Sequence, residues 1–170
     1  MGQIGDYGAS TVYRLPWEAT VHMSTGLCGS EPYIAPEQFL GKPYDARLVD
    51  IWACGIVYYC LHFSELPWRC AQPSSDTLFA SYLSACSSSS SSVSSCPPTI
   101  NNLNPRQCRP VLRKMLEPDP SKRWSIEEVM KDPWVTKIDV CIEAVNRGGV
   151  AGHVHSCAKA MGDRNMALLR

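Results

Sequence analysis

Gly29-Ser30-Glu31-Pro32-Tyr33-Ile34-Ala35-Pro36-Glu37, followed by Asp50-Ile51-Trp52-Ala53-Cys54-Gly55, is the stretch on which the reading of the fold turns. Pro36 opens a short helix over Pro36-Glu37-Gln38-Phe39-Leu40, because its missing N–H falls among the donors that a first helical turn leaves unpaired. Gly41-Lys42-Pro43 ends it. From Asp45 to Phe63, apolar residues fall at Leu48, Val49, Ile51, Trp52, Ala53, Ile56, Val57, Tyr58, Tyr59, Leu61 and Phe63. They cover every face, and a helix apolar all round is expected to be buried on all sides. At 1.5 Å rise per residue it spans about 24–28 Å, the width of a small domain. The fold class that follows is mainly α, with this helix as its central post.

Toward the amino terminus, residues 1–8 read as the end of a short strand pair running into an Asp6-Tyr7-Gly8 turn. Residues 9–29 are aperiodic, with Pro16 and Gly26 as breakers, and read as a long loop. Loops of that length in compact domains are usually functional. On the other side, Ser87 to Ser92 is an unbroken serine run flanked by Ser94, Ser95 and Pro97-Pro98. A segment so poor in apolar residues cannot offset its ordering entropy, so residues 72–98 read as a disordered insert. Val111, Leu112, Met115 and Leu116 have the spacing of an amphipathic helix over Arg106–Leu116, which Glu117-Pro118-Asp119-Pro120 stops. Ser125 caps another short helix, with Glu128 completing a capping box and Ile126, Val129 and Met130 expected inward. Residues 142–170, loosened by Gly148-Gly149 and Gly152, read as a flexible tail with a weak helix over Ala158–Leu169.

Composition narrows the function classes. Sixteen acidic and sixteen basic residues are interspersed, so no charged surface for nucleic acid or anionic membrane is expected. The longest apolar run, Ile51 to Leu61, holds a glycine and is too short for membrane insertion. Nine cysteines occur at irregular spacings without a C-x-x-C pair or a secretory leader, which points to reduced thiols and a cytoplasmic setting. His153, His155 and Cys157 would share one strand face as zinc ligands, but a solvated tail is the plainer reading.

Four pieces taken together resemble the C-terminal lobe of a eukaryotic protein kinase: Asp6-Tyr7-Gly8, Gly29 to Glu37, Asp50 to Gly55, and Leu116 to Arg123 before Asp132-Pro133-Trp134-Val135. More narrowly, Cys28 to Glu37 with Tyr44 to Gly55 is similar to the fungal serine/threonine kinases that regulate ion and nutrient transporters, the halotolerance and nitrogen-permease group. The resemblance implies a kinase domain fragment over residues 1–141, with an activation segment at 6–37. Asp6 would hold magnesium against the phosphates of ATP, and Tyr7 would pack as an aromatic spine residue. Ser24 and Thr25 are candidate activation-loop phosphosites. Ser30, Pro32 and Tyr33 would form the shelf for a protein substrate, Glu37 and Arg123 a buried ion pair, and Asp50 a carboxylate bonded to the catalytic loop. Trp52, Trp124 and Trp134 are read as core.

Other kinase parts have no counterpart in these 170 residues. There is no glycine-rich loop of the required pattern, no V-A-I-K-like strand lysine, and no H-R-D. The expectation is a kinase C-terminal lobe lacking the small sheet lobe and the catalytic loop, with weak or absent ATP binding, no activity alone and an apolar patch that lowers solubility. The implied partners are protein substrates and an upstream kinase. Two alternatives stand beside it: a non-catalytic, pseudokinase-like binding module and an unrelated helical scaffold.

Overall fold

Asp45 starts the long helix by turning its carboxylate onto the N–H of Arg47 at 3.0 Å, the bond expected of an N-cap. In the computed structural model, which describes residues 5–88 and 98–138, α1 runs Ala46–Phe63 and stops at Ser64, which adopts a left-handed backbone. Ile51, Trp52, Gly55, Ile56 and Tyr59 are its buried residues. The expectation of burial on all sides is corrected: Cys54 is exposed, Val57 is 45% exposed and Leu61 79%. The helix has more apolar faces than the described elements can cover.

Four further helices follow, of which α4 packs on α1: α2 (Thr77–Ser88), α3 (Pro98–Asn101), α4 (Arg109–Met115) and α5 (Ile126–Lys131). No strand is found among the described residues, only an isolated antiparallel bridge between Ser24 and Tyr44. Where a strand pair was expected, Tyr7–Ala9 form one 3-10 turn, and residues 1–4 lie outside the described residues. Gly55 marks the crossing of α1 and α4. A Cβ there would meet Leu116 Cδ2 at 2.8 Å and Met115 Cβ at 3.3 Å, so a larger residue would have to displace the Leu116 side chain.

Up to Ser88, the helix α2 stands where a disordered insert over 72–98 was expected. Asp76 accepts the N–H groups of Leu78 at 2.8 Å and Phe79 at 3.0 Å, which starts the helix, and Phe79 and Tyr82 are buried. Their apolar area outweighs the polar composition around them. The Tyr82 hydroxyl donates to the Leu116 carbonyl at 2.9 Å, tying α2 to the end of α4. Residues 89–97 and 139–170 lie outside the described residues, and with them the expected tail, its helix and the candidate zinc ligands His153, His155 and Cys157.

The α5 capping box forms as read: the Ser125 N–H donates to Glu128 Oε2 at 2.8 Å and the Glu128 N–H to Ser125 Oγ at 3.4 Å. Only Val129 is buried, however, and Ile126 and Met130 are more than half exposed. The helix is six residues long, so one position reaches the core. That core gathers Trp52, Ile56 and Tyr59 of α1 with Trp68, Phe79, Tyr82, Leu112 and Leu116. Trp52 is wholly buried, whereas Trp124 and Trp134 are half-buried.

Candidate functional site

A salt bridge beneath the Ser30–Tyr33 loop holds the site together. Arg123 Nη1 and Nη2 donate to Glu37 Oε1 and Oε2 at 2.5 and 2.8 Å. The same guanidinium donates to the Leu48 carbonyl at 3.0 Å and, through Nε, to that of Glu117 at 2.9 Å. Its carbon lies 5.0 Å from the Trp52 ring centroid. Paired, bonded and stacked, this buried charge has the partners that a buried ion requires. One arginine thus joins the loop, α1 and the turn after α4.

That turn is set by Asp119, whose carbonyl accepts the N–H groups of Lys122 and Arg123 at 3.0 and 3.1 Å. Its carboxylate accepts from the Ser121 hydroxyl at 2.7 Å and from Lys122 Nζ at 3.0 Å. These bonds, the Ser121 hydroxyl first, hold the Asp119 carboxyl down at about 2. A lowered carboxyl stabilises the fold above its ordinary value of 3.8 and loses that contribution as pH falls toward about 2. The side chain is 41% exposed, so solvent screening keeps the contribution below about 1 kcal/mol. Urea unfolding of Asp119→Asn is expected to show a deficit of that size at neutral pH, shrinking between pH 4 and 2. A deficit constant across that range would contradict the assignment.

The Ser30–Tyr33 loop is braced by two residues to which the motif reading assigns no role. Gln38 Oε1 accepts the Ala35 N–H at 3.0 Å, and its Nε2 donates to the Tyr44 hydroxyl at 3.2 Å and to the Cys28 carbonyl at 3.4 Å. The Tyr44 hydroxyl donates in turn to the Gly26 carbonyl at 3.0 Å, while the Tyr44 backbone bridges Ser24. Both side chains are buried. A buried polar side chain in a short helix carries no sequence pattern, so nothing but its partners reveals it. Gly29, at φ 103, turns the chain into Ser30 through a conformation that other residues rarely adopt. Pro32 then sits in the single turn Glu31–Tyr33, where its fixed φ is tolerated.

Above the loop opens a cleft of about 460 Å³ whose lining includes Asp6, Tyr33, Ser24, Arg47 and Asp50. Ser30 and Thr25 are exposed beside it, and Ser24 is half-buried. Asp6 is exposed, with a left-handed backbone at φ 57. The expected packing of Tyr7 is corrected: it is 67% exposed, and the turn Tyr7–Ala9 has no buried residue. Partial burial pushes the Asp50 carboxyl above its ordinary value. Arg47 is held by Asp45 at 2.6 Å and lies 5.5 Å over the Tyr13 ring, which pins the middle of the long loop to α1.

Among the described residues no three His, Cys, Asp or Glu side chains are grouped to hold a metal. Magnesium at nucleotide sites takes one or two carboxylates and completes its shell with phosphate oxygens and water. Asp6, exposed in the cleft, fits the part of a single protein donor, with Asp50 lining the same space.

The described residues form a helical lobe, and comparison with known proteins assigns its family. The profile described as "Protein kinase domain" matches residues 2–135, and the chain belongs to that family. Serine/threonine-protein kinase hal4 of Schizosaccharomyces pombe is 38% identical over 146 residues, covering 86% of this chain and 22% of that protein. Serine/threonine-protein kinase HAL5 of Candida glabrata is 36% identical over 146 residues, 82% of this chain and 18% of that protein. For HAL4/SAT4 of Saccharomyces cerevisiae the identity is 33% over 139 residues, with 82% and 22% covered. The chain spans about a fifth of the length of these curated relatives. No helix among the described residues is long and apolar enough to cross a membrane.

Proposed function

We propose that this chain is the substrate-side half of a serine/threonine protein kinase, and that by itself it transfers no phosphoryl group. The observation that carries the reading is one cleft lined by Asp6, Tyr33 and Asp50, above a loop held by the Glu37–Arg123 pair. In a complete kinase this half has three tasks. Ser30, Pro32 and Tyr33 seat the acceptor peptide, Asp6 holds the metal side of ATP, and Asp50 bonds the backbone of the catalytic loop. Bound magnesium neutralises charge on the transferred phosphate, and catalysis otherwise rests on positioning. Ser24 and Thr25 are the proposed acceptors of an upstream kinase, since a phosphate there adds charge beside the cleft that holds Arg47.

The alternative is a binding module without catalysis. A chimera separates the two. Residues 6–138 would replace the matching segment of the S. pombe hal4 kinase, followed by measurement of phosphate transfer to a generic serine/threonine protein substrate. The expected result is activity within about tenfold of the parent for the chimera and none for the 170-residue chain. A folded but inactive chimera would favour the binding module.

A further inference from the structure

Glu31 stands inside the proposed shelf, between Ser30 and Pro32, and is the only charged residue from Met23 to Pro36. The backbone around it is fixed. The Tyr33 N–H donates to the Ser30 carbonyl at 2.9 Å and the Ile34 N–H to that of Glu31 at 3.2 Å, which closes the turn Glu31–Tyr33. The residue itself is exposed. Neighbouring carboxylates are engaged: Glu37 holds Arg123, Asp45 holds Arg47 and Glu18 holds His22. Glu31 differs, since its carboxylate makes no ion pair and accepts no hydrogen bond among the described residues. Its charge still acts at close range. Burial, and then the charge of Glu31, push the Cys70 thiol up, so the carboxylate lies on the side of the shelf that faces Trp68 to Cys70. A rigid turn thus presents one uncompensated negative charge where an acceptor peptide is to be seated.

We propose that Glu31 selects acceptor peptides carrying a lysine or arginine next to the serine or threonine to be phosphorylated. The inference rests on the reading of Ser30, Pro32 and Tyr33 as the peptide shelf. Consecutive Cα atoms are about 3.8 Å apart and an extended peptide rises about 3.3 Å per residue. With Ser30 under the acceptor, a carboxylate one residue along therefore meets the position beside it. A docked peptide strips water from the turn, and a carboxylate left there without a partner loses its hydration uncompensated. A basic side chain restores the balance through charge-assisted hydrogen bonds. An acidic one meets like charge, and that repulsion contributes to the preference as much as the attraction does.

Binding to the full 170-residue chain supplies the test, because it does not depend on catalysis. The probes are fluorescein-labelled serine peptides on a glycine–alanine background, with arginine, glutamine or glutamate placed on either side of the serine. Fluorescence anisotropy gives Kd for the wild type, Glu31→Gln and Glu31→Lys, and the urea midpoint of each variant checks its fold. On one side of the serine, the wild type is expected to bind the arginine peptide about tenfold more tightly than the glutamate peptide. Glu31→Gln is expected to shrink that ratio to about threefold or less, and Glu31→Lys to invert it. Equal affinities in the wild type, or a ratio unchanged by Glu31→Lys, would overturn the inference and leave the shelf standing. Tyr33→Ala tests the shelf itself: peptides whose binding survives it sit elsewhere, which would also overturn the inference. Failure of every peptide to bind the wild type would sink the shelf and the selection by Glu31 together.

Discussion

Arg123→Ala is expected to destabilise the fold by about 3–5 kcal/mol, the typical cost of leaving one member of a buried pair without its partner. That is a large part of the roughly 5–15 kcal/mol that holds an ordinary domain. The substitution abandons the Glu37 carboxylate, 7% exposed, and removes the donors that satisfy the Leu48 and Glu117 carbonyls. It also uncovers the Trp52 face. Glu37→Ala is expected to cost less, because the guanidinium keeps both carbonyls and the indole. Urea unfolding of each variant against the wild type measures both losses. Converting both members to apolar residues, Glu37→Leu with Arg123→Met, should cost less than Arg123→Ala alone. A loss below about 1 kcal/mol for Arg123→Ala would mean that the pair does not tie the loop to the lower helices.

Much of this fold is legible because its signals are local. The Asp45 cap, the length of α1, the Ser125–Glu128 capping box and the stop at Leu116 all rest on residues within one or two turns of each other. Where the reading failed, the deciding partner was distant in sequence. Residues 72–98 look unable to order themselves, yet Phe79 and Tyr82 order 77–88 by packing on Trp68. Ile126 and Met130 look inward by periodicity but are 51% and 59% exposed, with no element to cover them among the described residues. The open side of α1 illustrates the same point, since periodicity states how apolar a face is and not what covers it.

The site divides in the same way. Glu37 and Arg123 are 86 residues apart, and what links them is the resemblance of their motifs to a family, not spacing or charge. The structure brings them together, and it sets Asp6, Tyr33 and Asp50 around one cleft. It leaves Tyr7 67% exposed. Gln38 and Tyr44 lie in the short helix and at the edge of a quoted motif, but their bonds to Cys28 and Gly26 leave no pattern in the sequence.

Trp68→Ala is the second substitution expected to approach the loss of the whole fold. Trp68 was passed over in favour of Trp52, Trp124 and Trp134, yet it is the hub of the aromatic core, 1% exposed. Its ring centroid lies 4.9 Å from Tyr82, 5.1 Å from Phe79 and 5.7 Å from Trp52. Removing a buried indole costs about 3–5 kcal/mol in transfer and cavity terms. The ring pairs add about 0.5–1.5 kcal/mol each beyond area, though they do not sum independently. Because Phe79 and Tyr82 belong to α2, the far-UV helical signal should fall along with the urea midpoint. Trp134 is the internal comparison: half-buried, its ring paired with Tyr58, it should lose at least 2 kcal/mol less on conversion to alanine, by the apolar area involved. Trp68→Phe discriminates between packing and polarity. The Trp68 indole N–H is buried without a hydrogen-bond partner among the described residues, so losing it removes no bond, and about 1–2 kcal/mol is expected from volume alone. If Trp68→Phe proved as damaging as Trp68→Ala, the N–H would have an acceptor, and the aromatic cluster would not be what seats α2.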